Sequence, residues 1–300
     1  MKILITGANG QVGFELKNKL SALGEVIATD RETLDLTNPD AIRQFIDQTK
    51  PDIIINPAAY TAVDKAESEP DLAYQINTIA PEVLASMAIE LDIPLIHFST
   101  DYVFDGLKKE AYVETDKTNP QSVYGKTKCE GEEKIRTHTK HIILRTSWVF
   151  GVHGNNFLKT MMRLMQEKES LNIVGDQWGA PASASMLSDV TFKIVDTIFK
   201  DKNFNIFGTY HVTNDGETNW FEYASLIAAE AIQLGLKVKC EPHHIHSILT
   251  SEYPTLAKRP LNSRLNCDKL KKTFMFDLPD WKDEVKKHVK TFSVLSHKSP

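Results

Sequence analysis

The chain has 300 residues, 41% of them hydrophobic and 25% charged, with a formal net charge of -5. This composition excludes a disordered chain and supplies enough apolar side chains for one large α/β unit with a smaller appended lobe. The acidic balance argues against a nucleic-acid partner, and no apolar run reaches the roughly 18 residues of a membrane span or the length of a signal peptide, so a cytoplasmic protein with neither nucleic-acid nor membrane partners is expected.

Lys2-Ile3-Leu4-Ile5-Thr6 reads as a short strand that stops at Gly7-Ala8-Asn9-Gly10-Gln11-Val12-Gly13 and gives way to helix-forming Phe14-Glu15-Leu16-Lys17. Glycines at Gly7, Gly10 and Gly13 let the backbone turn sharply, approach a pyrophosphate without a Cβ in the way and pack the new helix on the strand. The helix N-terminus then receives the phosphate charge. The spacing Gly-x-x-Gly-x-x-Gly lies one residue off the Gly-x-Gly-x-x-Gly of simple dehydrogenases. A second strand, Glu25-Val26-Ile27-Ala28-Thr29, ends at Asp30, where a dinucleotide fold places a carboxylate on the adenosine ribose. Arg31 beside it is a residue type that accommodates a 2'-phosphate, so the chain carries signals for both NAD and NADP.

Leu34-Asp35-Leu36 is expected to be a short third strand with Asp35 near the adenine, and Thr37-Asn38-Pro39 a capped helix start. Asp52-Ile53-Ile54-Ile55-Asn56 is an apolar run typical of a parallel strand buried on both faces, and it opens into Pro57-Ala58-Ala59-Tyr60-Thr61. Small residues at a strand's carboxyl end leave room for a ligand, so Ala58 to Thr61 is read as a wall of the nicotinamide site. A long helix is expected through 77–90, then a strand over 94–101 ending in Ser99-Thr100-Asp101, where Thr100 is placed to hydrogen-bond a substrate oxygen.

Tyr124-Gly125-Lys126-Thr127-Lys128 follows at an expected helix start, with a phenol and an ammonium four positions apart and therefore on one face. A tyrosine titrates near 10, and bringing it to about 7 asks for roughly 4 kcal/mol, which Lys128 and the helix N-terminus are expected to supply. A strand at 141–146 completes an alternation of strands and helices that implies a doubly wound parallel sheet of the Rossmann kind. Polar, glycine-bearing stretches at 154–157 and 175–181 suit a substrate lobe. A helix near 189–200 and a strand near 210–212 return to the sheet, a helix covers 220–234, a loop 259–264, and a short helix with a polar terminus closes the chain. The expected division is a dinucleotide-binding domain over 1–150, rejoined by 185–213, and a smaller lobe made of 151–184 and 214–300. Cys129, Cys240 and Cys267 are too few and too scattered for a disulfide framework or a zinc site. His243-His244-Ile245-His246 lacks nearby carboxylate or thiol ligands and is read as a surface loop without a role.

The glycine turn, Asn56-Pro57-Ala58-Ala59-Tyr60-Thr61, Ser99-Thr100-Asp101-Tyr102-Val103-Phe104 and the Tyr124/Lys128 pair together resemble the extended short-chain dehydrogenase/reductases. Five further blocks narrow the resemblance to the dTDP-4-dehydrorhamnose reductase family: Ala62-Val63-Asp64-Lys65-Ala66-Glu67, Arg145-Thr146-Ser147-Trp148-Val149, Gly154-Asn155-Asn156-Phe157, Asp176-Gln177-Trp178-Gly179-Ala180-Pro181 and Arg259-Pro260-Leu261-Asn262-Ser263-Arg264-Leu265. They span nearly the whole chain.

The resemblance implies reduction of the 4-keto group of a dTDP-sugar, dTDP-4-dehydro-L-rhamnose, by NADPH or NADH, in making a nucleotide sugar for surface polysaccharide. It gives Tyr124 the role of proton donor, Lys128 that of depressing the phenol and holding the nicotinamide ribose, and Thr100 a hydrogen bond to the reacting oxygen. Asp101, Trp148 and Asn156 fall to the sugar pocket, and Gln11, Val12, Asp30, Asp35, Leu36, Ala59, Tyr60 and Thr61 to the dinucleotide. It also implies a homodimer whose contact binds magnesium (Mg2+) through glutamates. Glu15 matches one of these, but Ser185 stands where another carboxylate is expected, which weakens a site for a hard cation. Two alternatives stand beside this reading: a nucleotide-sugar epimerase or dehydratase of the same fold, and a regulatory subunit that binds a dinucleotide without turnover.

Overall fold

The computed structural model describes residues 1–296, and the expected polar terminus falls outside them. In chain order the elements are β1 (Lys2–Ile5), α1 (Gln11–Leu20), β2 (Glu25–Ala28), α2 (Pro39–Thr49), β3 (Ile53–Asn56), α3 (Val63–Ala66), α4 (Pro70–Tyr74), α5 (Ala80–Glu90), β4 (Leu95–Thr100), α6 (Val123–Ile135), β5 (His141–Thr146) and β6 (Val149–Phe150). The second half follows with α7 (Phe157–Glu167), β7 (Leu171–Val174), β8 (Trp178–Gly179), β9 (Ala182–Ser183), α8 (Ala184–Lys200), β10 (Gly208–His211), β11 (Thr218–Asn219), α9 (Trp220–Gln233), β12 (Ile245–Ile248), α10 (Asp268–Phe274) and α11 (Trp281–Ser296).

Among the described residues the central sheet has six strands in the order β10-β5-β4-β3-β1-β2, with every neighbouring pair parallel. Successive side chains of a strand point to opposite faces. Ile3, Ile5, Ile53, Ile55, Ile96, Ile142 and Leu144 therefore meet α1, α8 and α10 on one side. Leu4, Ile54, Leu95 and Ile143 meet α2 and α5 on the other. That double burial is why the strands read as unbroken apolar runs. The strand order reverses between β1 and β3, and the carboxyl ends of these two strands open a crevice of the kind in which α/β sheets take their ligands.

The lobe has its own core, in which α7, α9 and α11 bury Leu158, Met161, Met165, Tyr223, Ile227, Val285 and Val289. Two-stranded pieces β11-β8, β12-β7 and β6-β9 join it together. Residues 267–278 depart from the expected division: Cys267, Leu270, Phe274 and Leu278 pack under the sheet, not in the lobe. The closing helix α11 runs for 16 residues and is not short.

Three further expectations are corrected. Leu34-Asp35-Leu36 is an irregular stretch between two turns instead of a strand. Asp30 Oδ1 accepts from the amides of Glu32 and Thr33, and Asp35 Oδ1 from that of Thr37, and such local bonds compete with a sheet ladder. The helix expected over 77–90 begins at Pro70 and passes through a π-turn at Gln75–Ile79, inside which Asn77 bonds both backbone groups of Tyr60. His246 belongs to a strand, β12, paired with β7, while His243 and His244 sit in the turn before it.

Candidate active site

A cavity of about 840 Å³ runs from the glycine turn, past the carboxyl ends of β1, β3 and β4, to the first residues of the lobe. Gly7 holds a left-handed φ of 61°, and a Cβ on Gly13 would overlap the Gly7 carbonyl oxygen, so the turn keeps open the space a pyrophosphate requires at the start of α1. Gly10, Gln11 and Val12 line this end, and the residues present fit a dinucleotide. At the end of β2, Asp30 Oδ2 accepts from Asn9 Nδ2 at 2.8 Å, and Oδ1 carries the Thr33 hydroxyl and amide, which together hold its pKa below the ordinary carboxylate value. Arg31, Asp35 and Leu36 line the same rim, and the Arg31 charge helps the Thr37 hydrogen bonds to lower the pKa of Asp35. Ala58, Ala59, Tyr60 and Thr61 line the facing wall.

At the inner end, Ser122 caps α6 by accepting from the Gly125 amide, which places Tyr124 and Lys128 on the helix face turned to the cavity. The phenol is not lowered as the sequence suggests. Burial raises the Tyr124 phenol above its ordinary value, the Thr100 hydroxyl only partly offsetting it. The Lys128 ammonium is instead bonded to the Phe98 carbonyl oxygen at 2.7 Å and to His97 Nε2 at 3.1 Å, and burial lowers its pKa to about 8. Thr100 ends β4 and donates to Asp101 Oδ1 at 3.0 Å. Asp101, 3% exposed, is pushed up to about 6 by burial. A Thr-Asp-Tyr-Lys group thus meets at one end of the cavity, holding a neutral phenol as an acid and an ammonium as a cation.

The lobe contributes the outer wall. Trp148, in a left-handed conformation with φ 49°, lines the cavity and stacks on Trp220 at 3.7 Å between ring centroids. Arg259 reaches in from the loop at 259–264, donating to Asp64 Oδ2 at 2.6 Å and to the Tyr102 hydroxyl at 3.5 Å.

Two assignments change. Asn156 does not line the cavity, although its neighbour Asn155 does. Its Oδ1 caps α7 through the Lys159 amide, and its Nδ2 donates to Gln11 Oε1 and the Gly151 carbonyl, so it ties the lobe's first helix to the glycine turn and has no amide N–H left for a sugar. Glu15 is half-buried on α1, and among the described residues no three His, Cys, Asp or Glu side chains converge on a metal-sized site. Ser185 bonds the Glu284 carboxylate instead of offering an anion of its own, so the residues present do not fit a hard cation within one chain.

Sequence reasoning missed Trp220, Arg259 as a cavity residue, and the His97 side chain behind Lys128. A histidine in the middle of an apolar parallel strand was the available signal for the last, since burying an imidazole without a partner is costly. Among the described residues no helix is long and apolar enough to cross a membrane, and the three cysteines are buried and unpaired.

The family model described as the RmlD substrate binding domain matches residues 1–294. The chain is 43% identical over 292 residues, 96% of each chain, to dTDP-4-dehydrorhamnose reductase of Escherichia coli K12. It is similar to the crystal structure of a dTDP-4-dehydrorhamnose reductase from Clostridium acetobutylicum, with a TM-score of 0.89 and 40% identity, covering 98% of this chain and 100% of that one. It is also similar to the Bacillus anthracis dTDP-4-dehydrorhamnose reductase solved in complex with NADP, with a TM-score of 0.88 and 36% identity, covering 97% and 99%.

Proposed function

Because this chain belongs to the dTDP-4-dehydrorhamnose reductase family, we propose that it reduces the 4-keto group of dTDP-4-dehydro-L-rhamnose with NADPH or NADH, yielding dTDP-L-rhamnose for surface polysaccharide. The observation that carries this reading is one continuous cavity with the glycine turn at one end and Thr100, Tyr124 and Lys128 at the other. Gly7, Gly10, Gly13, Gln11 and Val12 would hold the pyrophosphate, Asp30, Arg31, Asp35 and Leu36 the adenosine end, and Ala58 to Thr61 the nicotinamide half. When bound, the dinucleotide supplies the hydride.

The remaining work falls to side chains. Tyr124 gives its phenolic proton to the oxygen that becomes an alkoxide, and burial favours the protonated phenol that this step requires. An alkoxide is a stronger base than a phenolate, so the transfer remains downhill even from a phenol of raised pKa. Thr100 orients the reacting oxygen. Lys128 holds a positive charge at the cavity wall, where it bonds a ribose hydroxyl and stabilises the phenolate left behind. Trp148, backed by Trp220, supplies the flat wall for the sugar, and Asp101 the polar floor. Three reduced, buried cysteines suit a cytoplasmic site for this chemistry.

The test is oxidation of NADPH with dTDP-4-dehydro-L-rhamnose, compared with the same sugar on other nucleotides. Tyr124→Phe should lower turnover by about 10²–10⁴-fold with dinucleotide affinity nearly unchanged. A variant keeping more than about a tenth of turnover sinks the assignment of Tyr124 as the acid. A dinucleotide that stays bound through gel filtration would favour an epimerase or dehydratase, and absence of turnover a regulatory subunit.

A further inference from the structure

Behind Lys128 a row of polar side chains crosses three strands in the interior of the sheet. Lys128 Nζ meets His97 Nε2 at 3.1 Å, His97 Nδ1 meets Asn56 Nδ2 at 2.9 Å, and Asn56 Oδ1 accepts from the Thr6 hydroxyl. Thr6 and His97 are fully buried, Asn56 is 1% exposed and Lys128 2%. Asn56 and His97 face each other in register on β3 and β4, so the alignment is built into the parallel ladder. Polar groups so deep in a parallel sheet are costly unless each has a partner, and this row gives each member a polar neighbour while ending at a residue of the active site.

We infer that His97 is a positioning residue for the reduction, holding the Lys128 ammonium at the cavity wall through its Nε2 lone pair, with the Asn56 amide behind it turning to match the tautomer that the charge of Lys128 selects. An ammonium is a donor only, so the nitrogen facing it must carry no proton. A neutral imidazole then bears its proton on Nδ1 and donates to the Asn56 carbonyl oxygen, which requires the Asn56 amide to be turned end for end from the orientation above, exchanging its oxygen and nitrogen at nearly the same positions and setting its amino group on the Thr6 oxygen. The amide orientation above, with Asn56 Nδ2 donating to His97 Nδ1, belongs to the other state, in which the proton sits on Nε2 and a neutral lysine accepts from it. The tautomer of His97 and the charge of Lys128 are thus two readings of one state. With Phe98 oxygen and His97 nitrogen taking two of its three protons, the ammonium keeps one donor for a ligand in the cavity.

The surroundings favour this coupling. His97 is flanked by Asn56 on β3 and Ile143 on β5, neither of which titrates, and burial together with the Lys128 charge holds its own pKa well below the usual range. The titratable groups around Lys128 are Tyr124, Asp101 and Tyr102, which share its cavity wall, and Glu132 four residues along its own helix. Of these, Glu132 supports the lysine's charge against burial.

The inference rests on Lys128 being the cation of the proposed site, and its first test needs no turnover. In the full-length protein labelled with 15N-histidine, nitrogen chemical shifts should show His97 as the Nδ1–H tautomer at neutral pH, unprotonated overall, and converting to Nε2–H as Lys128 loses its proton. An Nε2–H tautomer at neutral pH overturns the proposal and leaves the reductase reading standing, while a wrong substrate assignment leaves the tautomer unaffected. The second test is kinetic. His97→Leu should raise the KM for the dinucleotide about tenfold and move the alkaline limb of kcat to lower pH by about one unit, the scale of one hydrogen bond to a charged group. His97→Gln, whose amide oxygen can accept from the ammonium, should restore both. A folded His97→Leu with the wild-type limb and KM shows that the residue only packs. If that variant does not fold, the tautomer in the unmutated protein decides alone.

Discussion

Replacing Asp101 by asparagine should make the substrate-free protein more stable at neutral pH while impairing its activity. Asp101 is the first residue of the turn after β4, 3% exposed, with Oδ1 accepting from Thr100 and Oδ2 buried without a hydrogen-bond partner, the Ser263 hydroxyl lying near but not closing one. Burial lifts its pKa from the ordinary 3.8 to about 6. The folded state therefore binds more protons than the unfolded state between about pH 4 and pH 6, and stability falls as pH rises through that window. Above it the penalty for burying the carboxylate is full, about 3 kcal/mol for a rise of that size, and below about pH 4 it is absent. The substituted asparagine would keep the Thr100 bond through its oxygen and carry no charge, but its amino group would meet the unpartnered Oδ2 position at a cost of about 1–3 kcal/mol. The net expectation is a gain of about 1 kcal/mol at pH 7.5, shrinking to none or reversing near pH 4. Denaturant unfolding of both proteins at the two pH values measures it, with NADPH oxidation recorded in parallel. A stability difference of the same size at both pH values would show that burial of charge at Asp101 is not what the structure implies.

Cofactor choice is expected to be modest, within roughly tenfold, because Asp30 and Arg31 act on the same rim in opposite directions. Arg31→Ala should shift the ratio of kcat/KM toward NADH and Asp30→Ala toward NADPH; a thousandfold wild-type preference, or a ratio untouched by Arg31→Ala, refutes the placement of Arg31 at the 2' position. Arg145 and Glu132 form a buried pair at 2.6 Å between β5 and α6, so Arg145→Met should destabilise by about 3–5 kcal/mol and pairing it with Glu132→Met should recover most of that, as read from denaturant midpoints. Turnover should survive treatment with EDTA, since Ser185 offers no carboxylate beside Glu15; loss of activity restored by magnesium alone would show that other ligands complete a metal site.

Much of the molecule is legible in the chain alone. The apolar runs at 2–6, 52–56, 94–101 and 141–146 could only be strands buried on both faces, and glycines at 7, 10 and 13 could only serve a turn that lets a phosphate and a helix come close. Proline after Asn38 announced the start of α2, and the four-residue spacing of Tyr124 and Lys128 put them on one helix face. These are local facts, decided by backbone sterics, hydrogen-bond supply and side-chain periodicity over a few residues. The stretch at 34–36 looks like a strand because Leu34 and Leu36 are apolar, whereas the side chains of Asp30 and Asp35 bond nearby amides and win locally.

What the sequence left open depends on partners far apart in the chain. Asn156 looked like a sugar ligand until its amide was found on Gln11, 145 residues away. Trp220 backs Trp148, and Arg259 meets Asp64, across comparable distances. The state of the site itself was of this kind: an ammonium four residues from a phenol was expected to depress it, yet the phenol is raised and the ammonium faces His97. Spacing along a helix says which side chains share a face. Whether two of them share a charge is decided by desolvation and by the competing partners that the sheet brings up from below, and those exist only once the chain has folded.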